Sequence, residues 1–215
     1  MTDSKISKLV LQEFETKTLG VTSQYLEIHE PIYENGILLI DRIDREKDGI
    51  IIAYVPVKDE YFSFAVYIDT DTAQVISVST EARNLVSLII SSETITSNEL
   101  KQLTTIQCQE FWNRGDKRPH YKTTYSFSGI EFYLKPEQDE FEDKLNKLLS
   151  YIETDRSGIL ALTFIGDAYI HVTMDFHRGS QLLGGITLDK EILKRIAALN
   201  LSMDFQITAW GNAFN

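Results

Sequence analysis

Residues 50–79 read IIIAYVPVKDEYFSFAVYIDTDTAQVISVS, and this stretch decides the fold. Three runs, residues 50–57, 61–68 and 74–79, are rich in β-branched and aromatic side chains, which pack well on a pleated surface. Between them lie Lys58-Asp59-Glu60 and Asp69-Thr70-Asp71-Thr72, short polar connections of the kind that make tight turns. The reading is a three-stranded antiparallel meander. Successive strand side chains alternate between faces, so Phe62, Phe64, Val66 and Ile68 share one.

Upstream, Leu9, Val10 and Phe14 predict a short helix, and downstream residues 85–91 predict a further buried strand. Thr96-Ser97-Asn98-Glu99 has capping-box spacing and should start a helix. Tyr125 and Phe127 set one alternation, and Ile130, Phe132 and Leu134 resume it one residue out of phase, which predicts a bulge at Ser128-Gly129. Pro136 suits the first turn of the next helix, whose apolar stripe is Phe141, Leu145, Leu148, Leu149 and Ile152. Residues 158–165 and 168–174 read as a hairpin about Gly166-Asp167. A strand at 182–187, a helix at 190–199 and a strand at 201–209 complete the chain. Hairpins dominate and regular βα alternation is absent. The expected class is therefore α+β: antiparallel β-sheets with helices packed on one face, in two β-rich blocks, residues 1–84 and 85–215.

Composition narrows the function. Lys and Arg number 21 against 32 Asp and Glu, a net charge of −11, with 8 basic and 15 acidic residues in the first 84. Such a field repels phosphate backbones and attracts basic partners, so nucleic acid is not expected. No apolar run approaches the roughly 20 residues a membrane helix needs, and Cys108 is the only cysteine. These features imply a cytoplasmic chain without a membrane partner, disulfide or cofactor.

Ile95-Thr96-Ser97-Asn98-Glu99-Leu100, Trp112-Asn113-Arg114-Gly115-Asp116, Tyr125-Ser126-Phe127 and the closing Gly185-Ile186-Thr187-Leu188 and Leu201-Ser202-Met203-Asp204-Phe205 together resemble bacterial domain-of-unknown-function family 4279. The resemblance covers about residues 85–212, and residues 58–69 look like an extension carried by some members. It implies an α+β fold, no established activity and no catalytic residues. Some families of this kind occur beside polymorphic toxins as immunity proteins.

Four constellations carry possible chemistry. Val66-Tyr67-Ile68-Asp69-Thr70-Asp71-Thr72 spells the nucleophile motif of haloacid-dehalogenase-like phosphatases, in which Asp69 and Asp71 would serve a magnesium-dependent reaction. Yet residues 73–79 read at once as a returning strand, and a turn also prefers Asp and Thr. Trp112, Arg114, Lys117 and Arg118 form a basic, aromatic-flanked loop able to clamp a small anionic ligand. His171 and His177 lack metal-ligand spacing. Finally, Glu27, Glu30, Glu34, Asp41, Asp44, Glu46, Asp48, Asp59 and Glu60 gather around the meander, with Tyr25, Tyr33 and Tyr61 as aromatic anchors. This last set favours a non-enzymatic protein-binding module, in its most concrete form an immunity-type protein neutralising a basic toxin domain.

Overall fold

A computed structural model describes residues 1–119, 121–135, 138–178 and 186–211. The meander forms as β4 (Ile50–Pro56), β5 (Phe62–Asp69) and β6 (Gln74–Ser92), each antiparallel to the next. Helices α1 (Asp3–Thr16) and α2 (Gly20–Ile28) lie against one face of it. Their Ile6, Val10, Phe14 and Tyr25 pack on Phe62, Phe64, Val66 and Ile68, the face expected from alternation. Two short strands, β1 (Tyr33–Glu34) and β2 (Ile37–Leu38), make a hairpin, and β3 (Arg42–Asp44) pairs with β4.

β6 is the spine of the molecule. The strands expected at 74–79 and 85–91 are one strand, which runs unbroken through residues 84 and 85. Its first half pairs with β5, while residues 83–91 pair with β9 (Asp167–His177) and 87–92 with β8 (Ser128–Tyr133). Polar residues in its middle had masked the continuity. There Gln138 Nε2 donates to the Ala82 carbonyl at 2.8 Å, and Asn84 Nδ2 donates to the Asp139 carbonyl at 2.8 Å. The Ala82 carbonyl and the Asn84 amide NH2 are thus matched by a loop rather than by apolar packing.

The second half of the sheet adds β7 (Glu110–Trp112), paired with β8, and β10 (Ser202–Trp210), parallel to β9. Helices α3 (Ser97–Gln102), α4 (Phe141–Ile152), α5 (Arg156–Ile165) and α6 (Lys190–Ala198) complete this half. Their apolar side chains bury Val86, Leu88, Ile90, Ile130, Phe132, Ile170 and Val172 in a second core. The Thr96–Glu99 capping box is formed as expected.

Three sequence expectations are corrected. Residues 158–165 are helix, not strand: Asp155 accepts from Gly158 N at 3.0 Å and caps α5. Phe164 is left 81% exposed, a position an amphipathic helix tolerates and a doubly buried strand does not. Strand β8 is regular from Ser128 with no bulge, since Tyr125 and Phe127 precede it. Helix α4 starts at Phe141, later than Pro136 implies; Pro136 itself and most of the strand expected at 182–187 lie outside the described residues.

Asp155 also accepts from Thr105 N at 2.6 Å and Thr104 Oγ1 at 2.9 Å, and these hydrogen bonds hold its carboxyl below the ordinary range. Asp155→Ala should cost about 1–2 kcal/mol through loss of the cap, measured by urea denaturation at pH 7. That stability is present above the ordinary Asp range and fades as pH falls towards the depressed folded value, so the difference between the two proteins should shrink in acid.

Candidate functional site

The open face of the second half-sheet forms one wall of a cleft of about 620 Å3, and residues of its helix side form the other. Alternation puts it there: Ile130, Phe132, Ile170 and Val172 point into the core, leaving Glu131, Tyr133, His171 and Thr173 on the other side. Ser87 of β6 lies between Tyr133 of β8 and His171 of β9 in register. Helix α4 and the loop before it add Asp139, Lys144, Lys147 and Leu148. A cleft of this volume with apolar walls and a few converging polar groups has the character of a ligand site.

The polar groups are electrostatically unusual. Burial pushes the Glu131 carboxyl up, against a lowering hydrogen bond from Ser87. Burial pulls the Lys144 ammonium down to about 8, and its Nζ donates to the Asn84 carbonyl at 2.6 Å. Burial works against Asp139 too, yet Arg42 at 2.8 Å and Lys147 at 2.9 Å hold its carboxyl below the ordinary range. His171 Nδ1 lies 3.0 Å from Asp204, and its Nε2 lies 3.3 Å from the Thr173 hydroxyl.

Asp204, His171 and Thr173 thus form a carboxylate–imidazole–hydroxyl chain of the kind that activates a nucleophile. Catalysis of acyl transfer also requires donors aimed at a developing oxyanion. On a sheet face the backbone N–H groups run in the plane of the ladder rather than out of it.

The phosphatase-like motif has another role. β5 is antiparallel to both neighbours, so Asp69 does not stand at the end of a parallel strand. Its Oδ1 accepts from Asp71 N, Thr72 N and Thr72 Oγ1 at 3.1, 2.7 and 2.8 Å, which closes the turn into β6.

The basic loop is a small ordered hairpin with a bridge between Lys117 and Thr124. Trp112 stacks on Tyr125 at 5.1 Å and packs so tightly on Gly129 that a Cβ there would sit 2.3 Å from its ring. One face of the indole is thereby covered. Arg118 lies over Tyr121 and Tyr125, and Arg114 and Lys117 are exposed.

The acidic set divides. Asp44 is buried beside Arg42 at 3.8 Å, and Glu46 pairs with Lys147 at 3.3 Å, close to Asp48 in the β3–β4 connection. At the far end of β4, the β1–β2 hairpin is tied to the β4–β5 turn: Pro31 bridges Val57, and Lys58 N donates to the Glu30 carbonyl at 2.9 Å. That connection brings Glu30, Glu34, Asp59 and Glu60 to one end with Tyr33 and Tyr61, while Glu27 is exposed on α2. Asp41, Glu60 and Tyr61 line a second cavity of about 430 Å3. Tyr25 does not belong to this surface, because it is buried against Phe64 and His177.

Sequence reading missed a buried pair: His29 Nε2 and His177 Nε2 lie 2.6 Å apart, 148 residues apart in the chain, with Glu60 Oε1 at 3.6 Å from His29. Burial, then the neighbouring His29, pull His177 down to about 4, so the pair joins α2 to the end of β9 in a form favouring the neutral rings. Among the described residues no group of His, Cys, Asp and Glu is arranged to hold a metal ion, and no helix is long and apolar enough to cross a membrane.

Residues 80–210 match the family described as domain of unknown function (DUF4279). No curated protein and no solved structure matches the chain.

Proposed function

The chain belongs to the DUF4279 family, and from that premise we propose that it is a protein-binding module that captures a basic partner through its acidic N-terminal half. One observation carries this reading. Asp41, Glu60 and Tyr61 line a cavity of about 430 Å3 together with Arg83 and Lys144, and on the β1–β2 hairpin Tyr33 is 47% and Ile37 71% exposed. Exposed Tyr33 and Ile37, on the same acidic half as Glu30, Glu34 and Asp59, suit a cationic protein surface: the charges speed encounter and the anchors slow release. In its finer form the module is an immunity-type protein, and the partner a basic toxin domain.

The test is co-purification with the product of the adjacent gene, followed by titration of the purified pair. Glu34→Lys, Asp41→Lys and Asp59→Lys combined should weaken binding by at least about 100-fold, like charges across an interface costing several kcal/mol, while the melting midpoint stays near that of the parent. Affinity should also fall as salt rises. Undiminished binding by the triple variant, or no binding by the parent, would reject the reading.

A further inference from the structure

We propose that Lys144 is a reactive amine, which forms a reversible imine with a neutral aliphatic aldehyde taken up in the 620 Å3 cleft. The chemistry belongs to the cleft and stands whether or not the acidic N-terminal half binds a protein.

A gap in the strand pairing sets the position of the amine. The ladder between β6 and β5 ends at Ala82 and that between β6 and β8 begins at Ser87, so residues 83–86 pair with β9 alone among the described strands. One edge of β6 has no strand beside it there, and its backbone groups need other partners. Lys144 of α4 supplies one, its Nζ donating to the Asn84 carbonyl at 2.6 Å. Two cavities meet at this gap: Asn84, Leu85 and Lys144 line both the 620 Å3 cleft and the 430 Å3 cavity. The half-buried side chain can therefore be reached from either.

The acceptor that holds the amine is neutral. Lys47, Lys58, Lys147 and Lys194 each pair with a carboxylate, whereas among the described residues Lys144 pairs with none. A carboxylate keeps a lysine in its charged, unreactive form, while a carbonyl can hold the ammonium and the free amine alike. Burial favours the free amine most, and the charges of Arg42 and Arg83 act with it against those of Asp139 and Glu81, so that the ammonium comes down to about 8. At pH 7.5 roughly a quarter of Lys144 is then uncharged, against about one in a thousand for a lysine of ordinary basicity. Desolvation beside other cations is how a lysine becomes a nucleophile.

The cleft selects the carbonyl compound. Leu85, Leu134 and Leu148 offer apolar surface to a short alkyl chain. Glu110 and Glu131 line the same cleft, and the chain carries a net charge of −11, so keto acids and phosphorylated aldehydes are repelled. A neutral aliphatic aldehyde meets neither obstacle. The Nζ lone pair adds to its carbonyl carbon, a proton passes from nitrogen to oxygen, and the carbon–oxygen bond breaks to release water, leaving a carbon–nitrogen double bond to Lys144. The proton lost earlier from the ammonium goes to solvent. No oxidant or reductant takes part, and water reverses the step.

Reductive trapping on the purified chain tests this, with no partner protein in the assay. Pentanal with cyanoborohydride at pH 7.5 should alkylate Lys144 at least about tenfold faster than the exposed Lys117 and Lys122, read by peptide mass spectrometry at quenched time points. The rate at Lys144 should climb with pH and level off above about 8. Glyoxylate, an anionic aldehyde, should show no preference for Lys144. In Lys144→Arg, which keeps a donor for the Asn84 carbonyl, the fast phase of pentyl incorporation should disappear while the rates at Lys117 and Lys122 stay at their parental values. Pentanal labelling of Lys144 no faster than that of Lys117, or an equal preference for Lys144 with glyoxylate, would overturn the proposal.

Discussion

Asp139→Ala lowers the free energy of unfolding by about 3–5 kcal/mol, the cost of stripping one partner from a buried ion pair. Asp139 is 3% exposed and sits where the two halves of the molecule meet. Its carboxylate accepts from Arg42 of β3 and Lys147 of α4, so a single side chain ties the edge of the first half-sheet to the helix that covers the second. Removing it leaves Arg42 largely buried, with Asp44 at 3.8 Å as its remaining carboxylate contact. The arginine must then carry an under-compensated charge or swing out and open the joint. Asp139→Asn keeps the shape and one acceptor, and should cost less than half as much as the alanine. Guanidinium denaturation followed by fluorescence checks both. A fall in midpoint with an unchanged slope is expected, since the area exposed on unfolding does not change.

That joint is also the part of the fold that sequence reading reached least. Period-two alternation located β5 and its inward face correctly, because Phe62, Phe64, Val66 and Ile68 lie where both packing and propensity agree. The capping box at Thr96 was legible for the same reason, as a purely local pattern. β6 was read as two strands because Glu81, Arg83 and Asn84 have no apolar signature, and the loop residues that meet Glu81, Ala82 and Asn84 lie some 55 residues away in the chain. The helix at Arg156–Ile165 was misread because a continuous apolar run has no period to choose by. Its one decisive local signal was Asp155, three residues before Gly158, the spacing of an N-cap.

The candidate sites divide along the same line. Acidic residues could be counted in sequence, but which of them converge depends on Pro31 meeting Val57, a contact no local pattern announces. The pairing of Glu110 with Glu131 depends on β7 adding to the edge of β8, and β7 is only three residues long. Trp112 looked like a stacking surface because its own neighbours are basic, whereas its indole is stacked on Tyr125, thirteen positions on. Sites built from cross-strand neighbours are legible only once register is known.

Glu81→Gln makes the protein more stable than the parent by about 2–3 kcal/mol at pH 8, and leaves it unchanged near pH 4.5. Burial, together with Glu140, pushes the Glu81 carboxyl from its ordinary 4.5 up to about 7. Between those values the folded chain holds a proton that the unfolded chain releases. Its contribution to stability is therefore complete below about pH 4.5 and is lost as pH rises through 7. Lys144, one of the charges that act on Glu81, has the opposite sign: burial lowers it from 10.5 to about 8, so stability recovers as pH rises from 8 towards 10.5. The parent should consequently show a trough of stability near pH 7–8, where both buried groups carry charge. Glutamine cannot ionise, so the acid side of the trough should vanish in Glu81→Gln while the alkaline recovery remains. Denaturation midpoints measured from pH 4.5 to 10 would reveal this shape, and a variant profile parallel to the parent's throughout would rule out Glu81 as its source.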